Sequence, residues 1–282
     1  MSSIEIRGVQ HYYQWLPEDS GSVADRPVFI FLHGWGGSSR YWETTALSLS
    51  DRFNCLLYDL RGFGRSRLPQ DSEQQTVFIY ELEDYASDLL ALMDALGIEQ
   101  AFINAHSMGA SILVFFLERY SHRVQRAVLT CSGIFEYEAK AFAAFHRFGR
   151  YVVQFRPPWL AKIPLADRLF MARFLYRSLP SPVSQAFLED FLQADYEAAL
   201  GTLYTSVSKE ATESMPRAFS NVSVPTLLVA GEHDKIIPAA MGEQAAALNP
   251  QIEFALIPDT AHFPMLEDPT TYLELLNQFL KV

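Results

Sequence analysis

The chain has 282 residues, of which 49% are hydrophobic, which suits one large folded domain and excludes an intrinsically disordered chain. Its formal net charge of -11 at pH 7 argues against a nucleic-acid partner, because phosphates attract basic surfaces. No apolar export signal begins the chain, and no apolar run reaches the roughly 18 residues of a membrane-spanning helix. We therefore expect a cytoplasmic protein, in which the two cysteines, Cys55 and Cys131, are buried thiols.

Continuous apolar runs along the chain predict strands that are buried on both faces. These runs occupy residues 28–32, 53–58, 101–104, 127–130, 226–230 and 252–257. Residues 4–16 favour an antiparallel lead-in hairpin, and helical spacing of apolar residues predicts helices over 83–96, ending at Gly97, and over 272–280. The alternation of strands with helices indicates an α/β chain with a mostly parallel sheet covered on both faces.

The segment from Ile134 to Pro216 contains no convincing strand and interrupts this alternation. It is rich in aromatic residues and helix formers, and prolines separate its predicted short helices. An all-helical insertion at this point is expected to cover the carboxyl ends of the strands, where ligands bind in open α/β sheets. We therefore predict a core over residues 1–133, a helical cap over 134–216 and a second part of the core over 217–282.

Residues 103–110, I-N-A-H-S-M-G-A, place Ser107 where a predicted strand turns sharply into a predicted helix. A nucleophilic serine in such a turn needs small residues two positions before and after it, and Ala105 and Gly109 meet that demand. The pattern departs from G-x-S-x-G at Ala105. A serine that caps a helix N-terminus is the alternative interpretation.

A serine becomes nucleophilic only with a base, and the base needs an acid that orients it. Asp234 follows the predicted strand at 226–230, and His262 follows the one at 252–257, which completes the chain order Ser, Asp, His. Asp234 as the cap of a helix near Pro238 is the alternative, and a lone loop histidine is most often an ordinary surface residue. Glu232 and Asp59 are competing acids, because both also lie just after strands.

A glycine-rich turn, H-G-W-G-G at residues 33–37, ends an early predicted strand. Glycines let the backbone turn close to a ligand and direct amides at it. We expect the backbone N–H groups of Trp35 and Met108 to form an oxyanion hole, with an ordinary glycine-rich turn as the alternative.

Five motifs in this order resemble those of α/β-hydrolase-fold enzymes with a helical cap. They are H-G-W-G-G at 33–37, D-L-R-G-F-G-R-S at 59–66, A-H-S-M-G at 105–109, G-E-H-D-K-I-I-P at 231–238 and A-H-F-P-M-L-E-D-P at 261–269. The resemblance implies an eight-stranded-type α/β-hydrolase sheet, with Ser107 as nucleophile, Asp234 as acid and His262 as base. It implies a structural role for the 59–66 stretch. In such enzymes the strand-to-helix turn that holds the nucleophile is called the elbow. Relatives that open epoxides or dehalogenate alkanes carry aspartate at the elbow, so Ser107 argues against those reactions.

The first half of the predicted cap combines aromatic and basic residues. Its basic residues are opposed mainly by Asp167: Lys140, Arg147, Arg150, Arg156, Lys162, Arg168, Arg173 and Arg177. In one interpretation these are solvated side chains whose stems pack on aromatic rings. In the other, aromatics line an apolar pocket while the basic face meets an anionic membrane or substrate group. The candidate substrate contacts are Trp35, His106, Phe142, Phe145, Phe148, Trp159, Phe170 and Phe174.

Together these patterns predict a cofactor-independent serine hydrolase that cleaves a small-molecule carboxylic ester with an apolar acyl or alcohol part. Lactone, thioester and carbon–carbon bond hydrolysis and perhydrolysis share the same residues and stay open. A small-molecule receptor with slow turnover is the alternative from another class. No metal site is predicted, because the histidines and cysteines lack metal-ligand spacing.

Overall fold

A computed structural model describes residues 2–18, 26–69, 79–136 and 138–281. Its strands form one eight-stranded sheet in the order β1-β2-β4-β3-β5-β6-β7-β8. The strands are β1 (Ser2–Ile6), β2 (Val9–Leu16), β3 (Val28–Leu32), β4 (Asn54–Tyr58), β5 (Ala101–His106), β6 (Val124–Thr130), β7 (Thr226–Gly231) and β8 (Ile252–Ile257). β2 runs antiparallel to β1 and β4, and every other pair is parallel. The predicted lead-in hairpin and mostly parallel sheet are confirmed.

The central strands are apolar along their whole length because helices cover both faces of the sheet. β4, β5 and β7 are buried at every residue, and β4 holds the buried thiol Cys55. Strands buried on both faces lose the alternation of polar and apolar residues that a half-exposed strand shows. This is why continuous apolar runs in the sequence mark β3 to β7.

The helices are distributed over the two faces and over one insertion. They are α1 (Glu43–Leu47), α2 (Leu82–Ala95), α3 (Met108–Tyr120), α4 (Ala139–Gln154), α5 (Ala166–Met171), α6 (Ser181–Gln193), α7 (Tyr196–Ser206), α8 (Lys209–Ser220), α9 (Ala239–Ala247), α10 (Pro264–Glu267) and α11 (Pro269–Leu280). α2, α3, α8 and α9 contribute to the core on one face, and α1 and α11 to the core on the other. Gly97, with φ of 66°, follows the end of α2 as predicted. Within the described ranges, no helix has both the length and the apolar character that a membrane span requires.

Helices α4 to α8 lie between β6 and β7, and we refer to them as the helical insertion. Within it, α5 packs against α6 and α4 packs against α7. α8 packs against α3 and carries Met215 and Phe219 into the core beneath the sheet. The predicted boundary at residue 216 therefore falls inside α8. The three-part division at 1–133, 134–216 and 217–282 stays a prediction.

The loop after β4 is built around the buried carboxylate of Asp59. Asp59 accepts hydrogen bonds from the Ser39 N–H at 2.8 Å and from the Arg65 Nε–H at 2.7 Å. Burial alone favours the neutral acid, but the hydrogen bonds and charge of Arg65 outweigh it and lower the pKa of Asp59. A Cβ on Gly64 would lie 2.4 Å from the Asp59 carboxylate, so glycine is needed there. Asp59 therefore ties the chain at Ser39, just beyond the 33–37 loop, to the sheet.

Candidate active site

Ser107 lies in a strained turn between β5 and α3. Its φ of 53° and ψ of -121° are disfavoured for a residue with a Cβ, so the surrounding structure must hold it there. Its N–H donates to the Thr130 carbonyl at 2.9 Å. A Cβ on Gly109 would lie 2.5 Å from the His33 carbonyl, so only glycine lets α3 approach the end of β3 this closely. Ala105 is fully buried, and the sheet accommodates its methyl group.

The loops after β5, β7 and β8 bring Ser107, Asp234 and His262 together. The Ser107 Oγ lies 3.0 Å from His262 Nε2, and His262 Nδ1 lies 2.7 Å from Asp234 Oδ2. Because a carboxylate only accepts, Nδ1 carries the hydrogen and Nε2 is free to accept the serine proton. Asp234 Oδ1 accepts the N–H groups of Ile236 and Ile237 at 2.7 and 3.1 Å, which fixes the carboxylate.

The two competing acids are engaged elsewhere. Asp59 is bound to Arg65, and Glu232 Oε2 accepts the Asp259 N–H at 3.1 Å on the protein surface. Neither carboxylate is bonded to His262 in the part of the chain that the structure describes. The geometry therefore selects Asp234 as the partner of the histidine.

The backbone beside Ser107 supplies the two N–H groups expected to form an oxyanion hole. Met108 begins α3, so its N–H has no partner within the helix. Trp35 follows Gly34, where a Cβ would lie 3.1 Å from the Ser107 Cβ, so this loop lies directly against the elbow. Among residues 2–18, 26–69, 79–136 and 138–281, no acceptor is bonded to the N–H of Trp35 or Met108. The Trp35 indole donates to the Ala199 carbonyl of α7 at 2.9 Å, which anchors the loop to the helical insertion.

A buried series of hydrogen bonds that sequence reasoning missed joins this loop to His262. His106 Nε2 lies 2.7 Å from the His262 carbonyl, so Nε2 carries the hydrogen, and Nδ1 accepts from the Tyr41 hydroxyl at 2.9 Å. The Tyr41 oxygen in turn accepts the Gly34 N–H. Burial lowers the pKa of His106 well below its usual value and raises the pKa of Tyr41 well above its own, so both rings are neutral. His106 lines the cavity, as expected, but both of its ring nitrogens are already engaged.

Glu267 organises the loop that carries His262, and it too was missed as a functional residue. Its Oε1 accepts the Ala261 N–H at 2.9 Å, and its Oε2 accepts the N–H groups of Tyr176 and Arg177 at 2.7 and 2.8 Å. One buried carboxylate thereby joins the histidine loop to the helical insertion. Its presence in the A-H-F-P-M-L-E-D-P motif was the available signal.

An apolar cavity of about 100 Å³ opens beside the Ser107 hydroxyl. Its aromatic lining comes from Trp35, Tyr41, Phe170, Phe174, Phe187, Phe191 and Phe263. Of the cap aromatics proposed as substrate contacts, Phe170 and Phe174 are in the lining. Phe142, Phe145, Phe148 and Trp159 are not, which corrects that expectation: Phe145 and Trp159 are 48% and 53% exposed on the surface. The four aromatics outside the lining lie on α4 or after it. The cavity is lined instead by residues of α5, of α6 and of the segment after α5.

Among the residues that the structure describes, two groups of side chains each bring three metal-ligand atoms within 4.8 Å of one another. The first is His106, Cys131 and His262, but the histidine nitrogens are held in the hydrogen bonds above, and burial raises the pKa of the Cys131 thiol well above 9. The second is the surface group Glu232, His233 and Asp259, where the His233 ring stacks on Tyr176 with centroids 4.1 Å apart. In a buried metal site, the ligand atoms point at one ion and further hydrogen bonds hold them in place. Neither of these two groups has that arrangement.

Comparisons with known proteins identify the family of this chain. A family model described as the alpha/beta hydrolase fold matches residues 27–269, and the chain therefore belongs to that family. It is 26% identical over 260 residues to the 2-(acetamidomethylene)succinate hydrolase of Mesorhizobium japonicum, covering 90% of this chain and 88% of that protein.

Two further relatives match nearly the whole chain. A bifunctional esterase/perhydrolase of Acinetobacter calcoaceticus is 24% identical over 291 residues, covering 97% of this chain and 95% of that protein. The crystal structure of the enol-lactonase from Burkholderia xenovorans superposes with a TM-score of 0.79 at 21% identity, covering 100% of each chain. The family supports hydrolase activity for this chain, and the superposition on the enol-lactonase shows that the two proteins share the fold.

Proposed function

We propose that this protein is a cofactor-independent serine hydrolase that cleaves carboxylic esters with a small apolar acyl group. The observation that carries the proposal is the hydrogen-bonded series of Ser107, His262 and Asp234, at 3.0 and 2.7 Å, beside an apolar cavity. A helix N-cap serine needs neither a histidine at its hydroxyl nor a cavity. The names of the hydrolase and esterase relatives agree with this reaction class.

In the first half of the reaction, the Ser107 Oγ attacks the ester carbonyl carbon while its proton passes to His262 Nε2. The carbonyl oxygen becomes an oxyanion that accepts hydrogen bonds from the Trp35 and Met108 N–H groups. Asp234 stabilises the imidazolium that forms. When the tetrahedral intermediate collapses, the carbon–oxygen bond to the alcohol breaks and His262 returns the proton to the leaving alkoxide.

In the second half, water attacks the acyl-enzyme. His262 Nε2 accepts one proton from the water as the new carbon–oxygen bond forms. Collapse of the second intermediate breaks the bond to Ser107, whose Oγ recovers the proton from His262, and the carboxylic acid leaves. The reaction consumes one ester and one water and yields one acid and one alcohol, so it needs no cofactor.

The size of the cavity supports a short acyl group. An apolar protein cavity of roughly 150 Å³ accommodates one benzene molecule, and the cavity beside Ser107 is smaller, at about 100 Å³. Phe187 and Phe191 of α6 close it together with Phe170 and Phe174, so lengthening the acyl chain requires these rings to move. We therefore expect acyl groups of about four carbons or fewer to react best.

The first test is labelling by a fluorophosphonate, which reacts only with an activated serine. We expect the wild-type protein to be labelled and Ser107→Ala to be unlabelled. Ser132→Ala is the matched control, because Ser132 is also buried at the end of a strand and its hydroxyl has no partner among the described residues. Labelling that persists in Ser107→Ala, or fails in folded wild type, would overturn the proposal, and the second result would favour a receptor with slow turnover.

A p-nitrophenyl ester series of increasing acyl length then tests the substrate class. We expect kcat/KM to be highest for acetate to butyrate and to fall steeply for longer chains. A flat series, or one that rises with chain length, would contradict the argument from cavity size. Enol-lactone substrates and peroxide with acetate would distinguish lactonase and perhydrolase activity, which the same residues support.

A further inference from the structure

Helix α4 carries apolar residues on two opposite faces, and only one of them is buried within the protein. The inner face consists of Phe142, His146, Gly149 and Val153, at helical spacing, and it packs on α7. The His146 ring lies 4.9 Å from the Tyr204 ring, and its Nε2 lies 3.2 Å from the Val207 carbonyl. The inner face therefore already has its partner.

The outer apolar surface of α4 consists of Phe148, Tyr151 and Phe155, which recur every three or four residues, together with Trp159 just beyond the helix. These side chains are 70%, 64%, 68% and 53% exposed. The rings of Phe155 and Trp159 are 6.5 Å apart, edge to face, so the surface continues past the end of the helix. Four large exposed aromatics on one continuous surface are unusual on a protein without a binding partner there.

The charged residues of α4 itself are all basic. α4 contains Lys140, Arg147 and Arg150 and no acidic residue. The stretch from residue 139 to 177 holds eight of the 22 Lys and Arg residues but only one of the 33 Asp and Glu residues, Asp167. None of the three basic residues of α4 forms an ion pair with any residue that the structure describes. The basic side chains of α4 therefore border the exposed aromatics of an otherwise acidic protein.

We propose that the outer apolar surface of α4 binds an anionic lipid surface. An amphipathic helix with aromatic residues on one face and Lys and Arg beside them lies in the plane of a lipid interface. The rings enter the boundary between headgroups and acyl chains, and the basic side chains reach anionic headgroups. A second copy of the chain is a poorer occupant, because a symmetric contact would place the like charges of two α4 helices together.

The end of α4 is also connected to the wall of the cavity. Arg156 Nη1 donates to the Phe191 carbonyl at 2.8 Å, and its guanidinium lies 5.4 Å from the Phe191 ring centroid. Phe191 lines the cavity beside Ser107. Lipid binding at α4 would therefore bring this wall of the cavity close to the lipid surface. The binding itself does not depend on the proposed hydrolysis.

The test is co-flotation of the full chain with vesicles of phosphatidylcholine alone or with about one third phosphatidylglycerol, at low and high salt. We expect binding to the phosphatidylglycerol vesicles at low salt only. Arg147→Glu/Arg150→Glu should weaken binding roughly twenty-fold or more, since each basic residue near an anionic surface contributes about fivefold. Phe148→Ser/Tyr151→Ser/Phe155→Ser should weaken it at least about tenfold, because the variant loses the inserted rings.

The matched controls lie on other surfaces. Arg119→Glu/Lys209→Glu changes the net charge equally, and Leu47→Ser removes a 56% exposed apolar side chain from α1. Both should bind like wild type. The proposal would be overturned if the wild-type protein did not bind anionic vesicles, or if both α4 variants bound them as tightly as wild type. The proposal would also be overturned if sedimentation equilibrium showed a wild-type dimer and a monomeric Phe148→Ser/Tyr151→Ser/Phe155→Ser variant, since the occupant of the surface would then be a second copy of the chain.

Fluorophosphonate labelling without vesicles separates this proposal from the proposed function. The α4 variants should be labelled like wild type, because the substituted residues lie outside the cavity. If the protein is labelled but does not float with anionic vesicles, the lipid-binding proposal is refuted and the proposed hydrolase activity is not. If the protein is not labelled but still floats with anionic vesicles, the proposed serine hydrolase activity is refuted and the lipid-binding proposal is not.

Discussion

Tyr41→Phe removes a single oxygen from the buried series of hydrogen bonds and leaves the aromatic packing in place. The Tyr41 ring is stacked on Phe187 with centroids 5.1 Å apart and meets Phe263 edge to face at 5.6 Å. Phenylalanine keeps both contacts. The lost oxygen accepts the Gly34 N–H and its hydrogen is donated to His106 Nδ1, so the variant leaves two buried polar groups without partners.

The expected loss of stability follows from those two groups. A buried donor or acceptor left unsatisfied costs about 1–3 kcal/mol. Removing the hydroxyl also removes its own cost of burial, so we expect the free energy of unfolding to fall by about 2–4 kcal/mol in total. Urea unfolding followed by circular dichroism measures this difference directly.

The same change should slow catalysis more than it weakens binding. Gly34 precedes Trp35, a proposed oxyanion donor, and His106 precedes Ser107. Complete removal of one oxyanion donor lowers kcat by about 100- to 1,000-fold, so a donor that is displaced rather than removed should lower it by roughly 10- to 100-fold. KM for a p-nitrophenyl ester should change little, because the ring still forms the cavity wall.

Tyr58→Phe provides a matched control for this prediction. Tyr58 is fully buried, burial raises the pKa of its hydroxyl well above 10, and that hydroxyl has no partner among the described residues. Removing it should leave stability unchanged or slightly higher and kcat unaltered. Equal stability and equal kcat in the two variants would refute the role assigned to Tyr41.

Two further predictions concern pH and acyl length. Burial lowers the pKa of His11 to about 4, and the unfolded chain binds that proton near its ordinary value of about 6.5. Between those values the unfolded state binds more protons, so stability falls by about 3 kcal/mol as pH drops, and His11→Gln should flatten that slope in urea unfolding. Phe191→Ala enlarges the cavity, so the ratio of kcat/KM for the hexanoate ester to that for the acetate ester should rise.

Each of these predictions has a control on the surface. His122→Gln substitutes an exposed histidine and should keep the wild-type dependence of stability on pH. Phe148→Ala truncates an exposed ring outside the cavity and should keep the wild-type preference for short esters. A His11→Gln variant with the wild-type slope would contradict the assigned titration. An unchanged ester ratio in Phe191→Ala would show that this ring does not limit the acyl group.

The sheet and the convergence of Ser107, Asp234 and His262 were predictable because both depend on short-range patterns. A strand buried on both faces has a continuous apolar sequence, and parallel strands place their carboxyl ends at one edge of the sheet. Side chains just after three such strands therefore meet, whichever helices intervene. This is how Ser107, Asp234 and His262 could be chosen before their distances were known, and why Glu232 and Asp59 could not be excluded until the structure placed them.

The lining of the cavity was only partly predictable, because helical spacing defines a face but not its partner. Aromatic residues lie on both faces of α4, and the sequence does not specify which face of this helix meets the site. Phe145 and Trp159 point to the surface, while Phe187 and Phe191 of α6 close the cavity. The roles of Tyr41 and Glu267 were missed for a related reason, since each depends on contacts between residues distant in sequence.

The neutrality of His106 is a consequence of its burial, and it suits the proton transfer proposed for its neighbour His262. Its ring centroid lies 4.8 Å from that of His262, which becomes a cation in the proposed mechanism when it accepts the Ser107 proton. A charged His106 would oppose that cation and would lose the Nδ1 lone pair that accepts from Tyr41. Burial, with a smaller contribution from the charge of His262, lowers the pKa of His106 well below its usual value and prevents both effects. His106, the residue before Ser107, therefore holds the His262 backbone without competing for the proton that His262 is proposed to accept.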